Sequence, residues 1–131
     1  MSRRPLVALF GAAAGLAAGA AATRWLDVVE VRGSSMAPAL LAGDRLVVES
    51  RTYARRPPRA GEIVLAADPR QGERELIKRV ASVDHVAGAA DLRGDSAGES
   101  TDSREFGPVP LAQIRWRAAF RYWPPDRACR L

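Results

Sequence analysis

The sequence has no asparagine, one cysteine, one histidine and one lysine. The single cysteine, Cys129, excludes an internal disulfide. Together with His85 it does not supply the ligand set of a Cys/His zinc site. At 131 residues there is room for one domain and little more. A content of 47% hydrophobic and 27% charged residues excludes disorder or low complexity throughout. No internal repeat and no long amphipathic helix is visible, while nine prolines and eleven glycines point to many turns.

The net charge of +5 invites a nucleic-acid reading that its distribution excludes. Three of the arginines precede residue 27, and residues 115–131 hold five arginines against one aspartate. The stretch between them, 27–114, carries 12 basic and 14 acidic side chains, so the body offers no phosphate-tracking face. Nineteen of the 20 basic residues are arginine, which reads as a coding bias with no chemistry attached. Against that background Lys78 stands out, because arginine keeps its proton in proteins whereas burial can neutralise lysine.

Residues 6–22 are uncharged and mostly alanine and glycine, preceded by Arg3 and Arg4. A bilayer-spanning helix needs about 17–25 apolar residues, so this run sits at the short end of the range. One reading is an uncleaved anchor with Arg3 and Arg4 in the cytoplasm, Trp25 at the interface and the rest of the chain outside. The other is a signal segment removed near residues 20–22. The expected organisation is therefore 1–25 as anchor or signal segment, 26–123 as the main domain and 124–131 as a frayed tail containing Cys129.

Beyond residue 26 the pattern is one of short strands. Expected strands cover 27–32, 45–49, 62–67, 74–84, 91–93 and 113–123, with turns at Gly43-Asp44 and Gln71-Gly72 and a polar loop at 94–105. The fold class that follows is mainly β, with one transmembrane helix ahead of it.

Gly33-Ser34-Ser35-Met36-Ala37-Pro38 follows the first of these strands. It approximates a hydrolase nucleophile elbow, but Pro38 blocks the helix that motif requires, and His85 reads as a surface loop residue. Ser35 pairs better with Lys78. A serine hydroxyl needs a base, and a lysine serves only if its pKa falls by several units from about 10.4. Strand alternation puts Lys78 on the same face as Leu76 and Val80, an apolar setting that desolvates the ammonium.

Ser35-Met36-x-Pro38, Gly43-Asp44, Lys78-Arg79 and Gly94-Asp95 followed by Ser100-x-Asp102-Ser103-Arg104 occur in that order. In this the chain resembles the type I signal peptidases, the S26-like Ser/Lys peptidases, across residues 29–123. The resemblance implies a compact domain of antiparallel sheets and a membrane-anchored endopeptidase that cuts leader or signal peptides from precursor proteins. It implies Ser35 as nucleophile, Lys78 as general base and Ser100 as the serine that orients the lysine amine. Met36 and Pro38 would form the turn presenting the nucleophile, and Asp95, Asp102 and Arg104 would shape the site's edge. By the same resemblance Gly33, Ser34 and Ser35 would form the oxyanion region. Gly33 stands where some relatives place a hydroxyl, so the backbone N–H of Ser35 is expected to carry more of that task. Only 15 residues separate Lys78 from Gly94, which makes this a minimal catalytic core.

The expected partners are a precursor leader peptide and a lipid membrane. No metal, cofactor or nucleic acid is expected, and a partner subunit stays open. The expected location is a bacterial plasma membrane, crossed once, with the catalytic domain outside the cytoplasm. Residues 100–110 and 121–124 also resemble the small maturation peptidases of nickel-type superoxide dismutases. Mitochondrial inner-membrane peptidases are another small relative. Self-cleaving SOS repressors share the Ser/Lys core, but nothing here resembles their DNA-binding domain. A catalytically silent, membrane-anchored peptide-binding β domain is the non-enzyme alternative, and intact Ser35, Lys78 and Ser100 argue against it.

Overall fold

The computed structural model describes residues 2–4, 25–96, 98 and 103–131. Among these, nine strands pair into one antiparallel sheet. In chain order they are β1 (Ser2–Arg4), β2 (Leu26–Glu30), β3 (Arg45–Glu49), β4 (Ile63–Asp68), β5 (Gln71–Asp84), β6 (Ala89–Arg93), β7 (Val109–Pro110), β8 (Ile114–Trp123) and β9 (Cys129–Arg130). A single helical turn, α1 (Ser103–Phe106), precedes β7. The spatial order is β1-β2-β3-β8-β4-β5-β6-β7, with β9 also on β8.

The sequence late in the chain thus occupies the middle of the sheet. Arg117–Trp123 of β8 pair with β3, and Ile114–Arg117 pair with β4. Alternation explains the choice of strand. In β3, Leu46 and Val48 are buried while Arg45 is exposed. Two hydrophobic clusters result. One joins Val29, Val31, Met36, Leu40, Leu46, Val48, Ile63, Leu65, Ile77 and Ala118. The other joins Val64, Ala66, Val80, Ala90, Leu92, Val109 and Ile114.

Three expectations are corrected. Strand β5 begins at Gln71, and the turn falls on Pro69 and Arg70, where the Asp68 carboxylate accepts the Arg70 N–H at 2.8 Å. The polar loop 94–105 ends in α1. The tail is not frayed: β9 pairs with Phe120 and Arg121 of β8, and the Leu131 N–H donates to the Ala119 carbonyl at 3.1 Å. Leu131 packs against the first cluster, and Arg127 ends on Asp44 at 2.6 Å.

Strand β1 pairs with β2, Arg4 opposite Val28. Residues 6–22 lie outside the described residues, and among the described ones no helix is long and apolar enough to cross a membrane.

Candidate active site

Ser35 sits on the connection between β2 and β3, and the base of that connection is closed by backbone bonds. The Val31 N–H donates to the Asp44 carbonyl at 2.8 Å, and the Gly43 N–H donates to the Val31 carbonyl at 2.9 Å. Met36 and Leu40 are buried and act as apolar pegs. Turn bonds from Ala37 N–H to the Ser34 carbonyl (3.0 Å) and from Leu40 N–H to the Met36 carbonyl (2.9 Å) tighten the loop. The Ala37–Pro38 peptide is cis, and Pro38 is exposed.

Beneath this loop lies a charge cluster the sequence did not announce. The Asp44 carboxylate, 2% exposed, accepts from the Leu41 N–H (2.9 Å), Arg121 (3.2 Å) and Arg127 (2.6 Å). Arg121 also donates to the Ala39 carbonyl at 2.8 Å, tying β8 to the loop that carries Ser35.

Above the loop a cavity of about 390 Å³ runs between two chain segments. Val31, Arg32, Gly33, Ser34, Ser35 and Met36 line one wall. Arg74, Glu75, Leu76, Ile77 and Lys78 of β5 line the other. Lys78 is only 3% exposed, and Leu76 and Val80, two positions away on either side, are buried as alternation requires. Ser35 is partly exposed. Fold and loop thus bring Gly33, Ser34, Ser35, Met36 and Lys78 to one cavity.

Gly33 has φ +80°, in the left-handed region that a residue with a Cβ avoids. The backbone here is adapted to glycine.

The Gly94-Asp95 motif meets the Ser35 loop through its neighbour Ser96. The Ser96 N–H donates to the Ser35 carbonyl at 2.9 Å. Asp95 does not line the cavity. It receives a two-pronged bond from Arg79, 2.8 Å from Nε and 2.7 Å from Nη2, and Arg79 also donates to the Gly61 carbonyl. Asp95 therefore acts on the residue after Lys78, holding β5 to the 94–96 turn. The partnership raises the Arg79 pKa, through the Asp95 bond first and in spite of desolvation. Ser103, at the start of α1, is buried, and its Oγ accepts the Leu92 N–H at 2.9 Å. Arg104 is exposed on α1. Ser100 and Asp102 lie outside the described residues. Among the described residues no cluster of His, Cys, Asp and Glu could hold a metal ion.

Sequence reasoning missed Val31, Arg32, Arg74 and Glu75 as cavity residues. The Arg79–Asp95 bond had a sequence signal: alternation sends Arg79 away from the face of Lys78, where it must find another partner.

The model of the family described as signal peptidase, peptidase S26 matches residues 3–88, a span that holds both walls of the cavity. The chain is similar to mitochondrial ATP-independent inner membrane protease subunit 1a of Arabidopsis thaliana, 33% identical over 122 residues, covering 77% of this chain and 73% of the relative. It is 31% identical over 124 residues to mitochondrial inner membrane protease subunit 2 of Mus musculus, covering 79% and 71%. Subunit 1 of that protease from Schizosaccharomyces pombe is 30% identical over 110 residues, covering 70% of each chain.

Proposed function

This chain belongs to the signal peptidase family S26, and from that premise we propose that it is a serine endopeptidase that removes N-terminal leader or signal peptides from precursor proteins, with Ser35 and Lys78 as its catalytic pair. The observation that carries the reading is one cavity lined by both side chains, with the lysine withdrawn from water.

The neutral Lys78 amine takes the Ser35 hydroxyl proton as Oγ attacks the scissile carbonyl carbon. The Ser35 backbone N–H donates to the developing oxyanion. The protonated amine then gives its proton to the leaving nitrogen as the C–N bond breaks, leaving an acyl ester on Ser35. Lys78 next takes a proton from water, whose oxygen attacks the ester, and returns it to Ser35 as the acid product departs. Ser–Lys pairs are a recognised variant of triad chemistry. Burial supports the lysine's part, because desolvation disfavours the ammonium form. Ser100 is proposed to orient the amine, and Asp95, through Arg79, to fix the strand that carries it.

The substrate is proposed to lie extended between the two walls and pair with strand edges. Association with a membrane is part of the proposal, because the relatives are named inner membrane proteases and residues 6–22 are apolar. A single crossing by that run, with the catalytic domain outside a bacterial cytoplasm, requires β1 to leave the edge of β2.

The test is leader cleavage by the membrane-inserted protein, comparing wild type with Ser35→Ala and Lys78→Arg. An Ala-x-Ala secretory precursor and a nickel superoxide dismutase precursor are the two substrates. Loss of cleavage in both variants is expected, and the preferred substrate separates a general signal peptidase from a dedicated maturation protease. Activity surviving in Lys78→Arg would sink the neutral-lysine mechanism, since arginine keeps its proton.

A further inference from the structure

Resting on the Ser/Lys peptidase reading, we propose that the charged rim of the cavity selects leader peptides carrying an acidic residue close to the scissile bond. The cavity floor is apolar: Val31, Met36 and Ile77 belong to one buried cluster, and Leu76 is buried beside them. The rim is not. Arg32 stands on the wall that carries Ser35, Arg74 on the wall that carries Lys78, and both are exposed. Alternation turns Arg32 outward because Val31 is committed to the core.

Among the described residues no carboxylate forms an ion pair with Arg32. Arg74 acts on Asp68 through space, but that carboxylate is already bonded by Arg70. The one acidic side chain in the lining is Glu75, which is partly buried.

An extended peptide between these walls sends alternate side chains down to the apolar floor and up to the rim. The downward positions call for apolar side chains. The upward positions meet two guanidiniums on opposite walls, within a cavity whose low-dielectric sides strengthen their field. A carboxylate in the peptide satisfies them, and an ammonium is repelled. The selected substrate class is thus an extended leader with an acidic residue at a rim-facing position.

The experiment uses the full-length protein in proteoliposomes and a peptide series with Glu, Gln or Lys placed in turn at each position beside the scissile bond. At the best position, Glu is expected to exceed Lys in kcat/KM by roughly tenfold at low ionic strength, about threefold from each arginine. Added salt should shrink that ratio. The Arg32→Glu/Arg74→Glu variant should reverse it. The single variants Arg32→Gln and Arg74→Gln should each lower it, which keeps the test intact if the double variant does not fold. A ratio that these variants leave unchanged, or no position at which Glu is favoured, overturns the inference.

Binding of the same peptides to Ser35→Ala separates this result from the catalytic reading. Preferential binding of the Glu peptide with no cleavage by wild type would overturn the Ser/Lys mechanism and support the charged rim. Cleavage without any charge preference would support the mechanism and overturn the rim.

Discussion

Among the described residues two cationic side chains are buried, Arg121 and Lys78, and they end differently. Arg121 runs into a set of acceptors: the Asp44 carboxylate, the carbonyls of Ala39 and Arg127, and the Cys129 sulfur. Lys78 opens on the cavity that Ser35 also lines. The first is a charge held by opposite charge and hydrogen bonds, so its worth is structural. The second lies between buried strand neighbours at a cavity that Ser35 also lines, and under the proposed mechanism its worth lies in being able to lose its proton. Burial alone does not separate the two; what each residue borders does.

The contrast breaks if the two residues respond alike to removal. Lys78→Met is expected to lower leader cleavage by about 10³-fold or more while the urea midpoint holds or rises, because a buried amine gives way to an apolar chain of similar length. An equal fall in stability and activity would make Lys78 a structural cation after all. Asp44→Ala is the converse: it strands Arg121 and Arg127, and should cost about 3–5 kcal/mol in urea unfolding. Asp44→Asn should cost less, since it can still accept the Leu41 N–H.

Two smaller changes sharpen the contrast at the cavity. Gly33→Ala forces a Cβ into a left-handed backbone and should cost about 1–2 kcal/mol. Open space around that position means strain, not crowding, is the cause. A larger loss in kcat than in stability would tie this backbone to the oxyanion. Arg79→Ala should cost at most about 1 kcal/mol of stability, because its bond to Asp95 is partly exposed, at 34% and 21% of the two side chains. A fall in kcat beyond that would show that Asp95 positions β5 for chemistry.

The smallest expected effect is on the pH dependence of stability. Burial pushes Glu62 up, but bonds from Arg56, the Arg59 N–H and Tyr53 outweigh it and hold its pKa below the usual 4.5. The same Glu62 contact adds to burial in raising the Tyr53 hydroxyl pKa. A carboxyl with a lowered folded pKa binds fewer protons than in the unfolded chain. Its stabilisation is therefore complete above about pH 4.5 and lost as pH falls through the lower folded value. Urea midpoints followed into the acid range should fall, and Glu62→Gln should flatten that limb.

Local alternation made most of the sheet legible. Residues 45–49 were read with the bounds of β3, and most other body strands differ only at their ends. Lys78 could be placed on an apolar face because Leu76 and Val80 flank it at even spacing. What alternation cannot carry is the partner of a distant charge. Asp44 read as a turn residue, since nothing near it in sequence announces Arg121 and Arg127. The tail looked loose for the same reason: its anchors, Asp44 and β8, lie elsewhere in the chain. Arg32 and Arg74 escaped notice because a cavity exists only once two segments face each other.

The order of strands has a consequence for the newly made chain. Ser35 belongs to the β2–β3 half and Lys78 to the β4–β5 half, and β8, which ends at Trp123, is the strand that pairs with both β3 and β4. A polypeptide emerging N-terminus first therefore holds both chemical groups well before it holds the strand that bridges their halves. Long-range pairing of this kind is completed late. Facing of the two cavity walls thus waits on a strand distant from either of them in sequence.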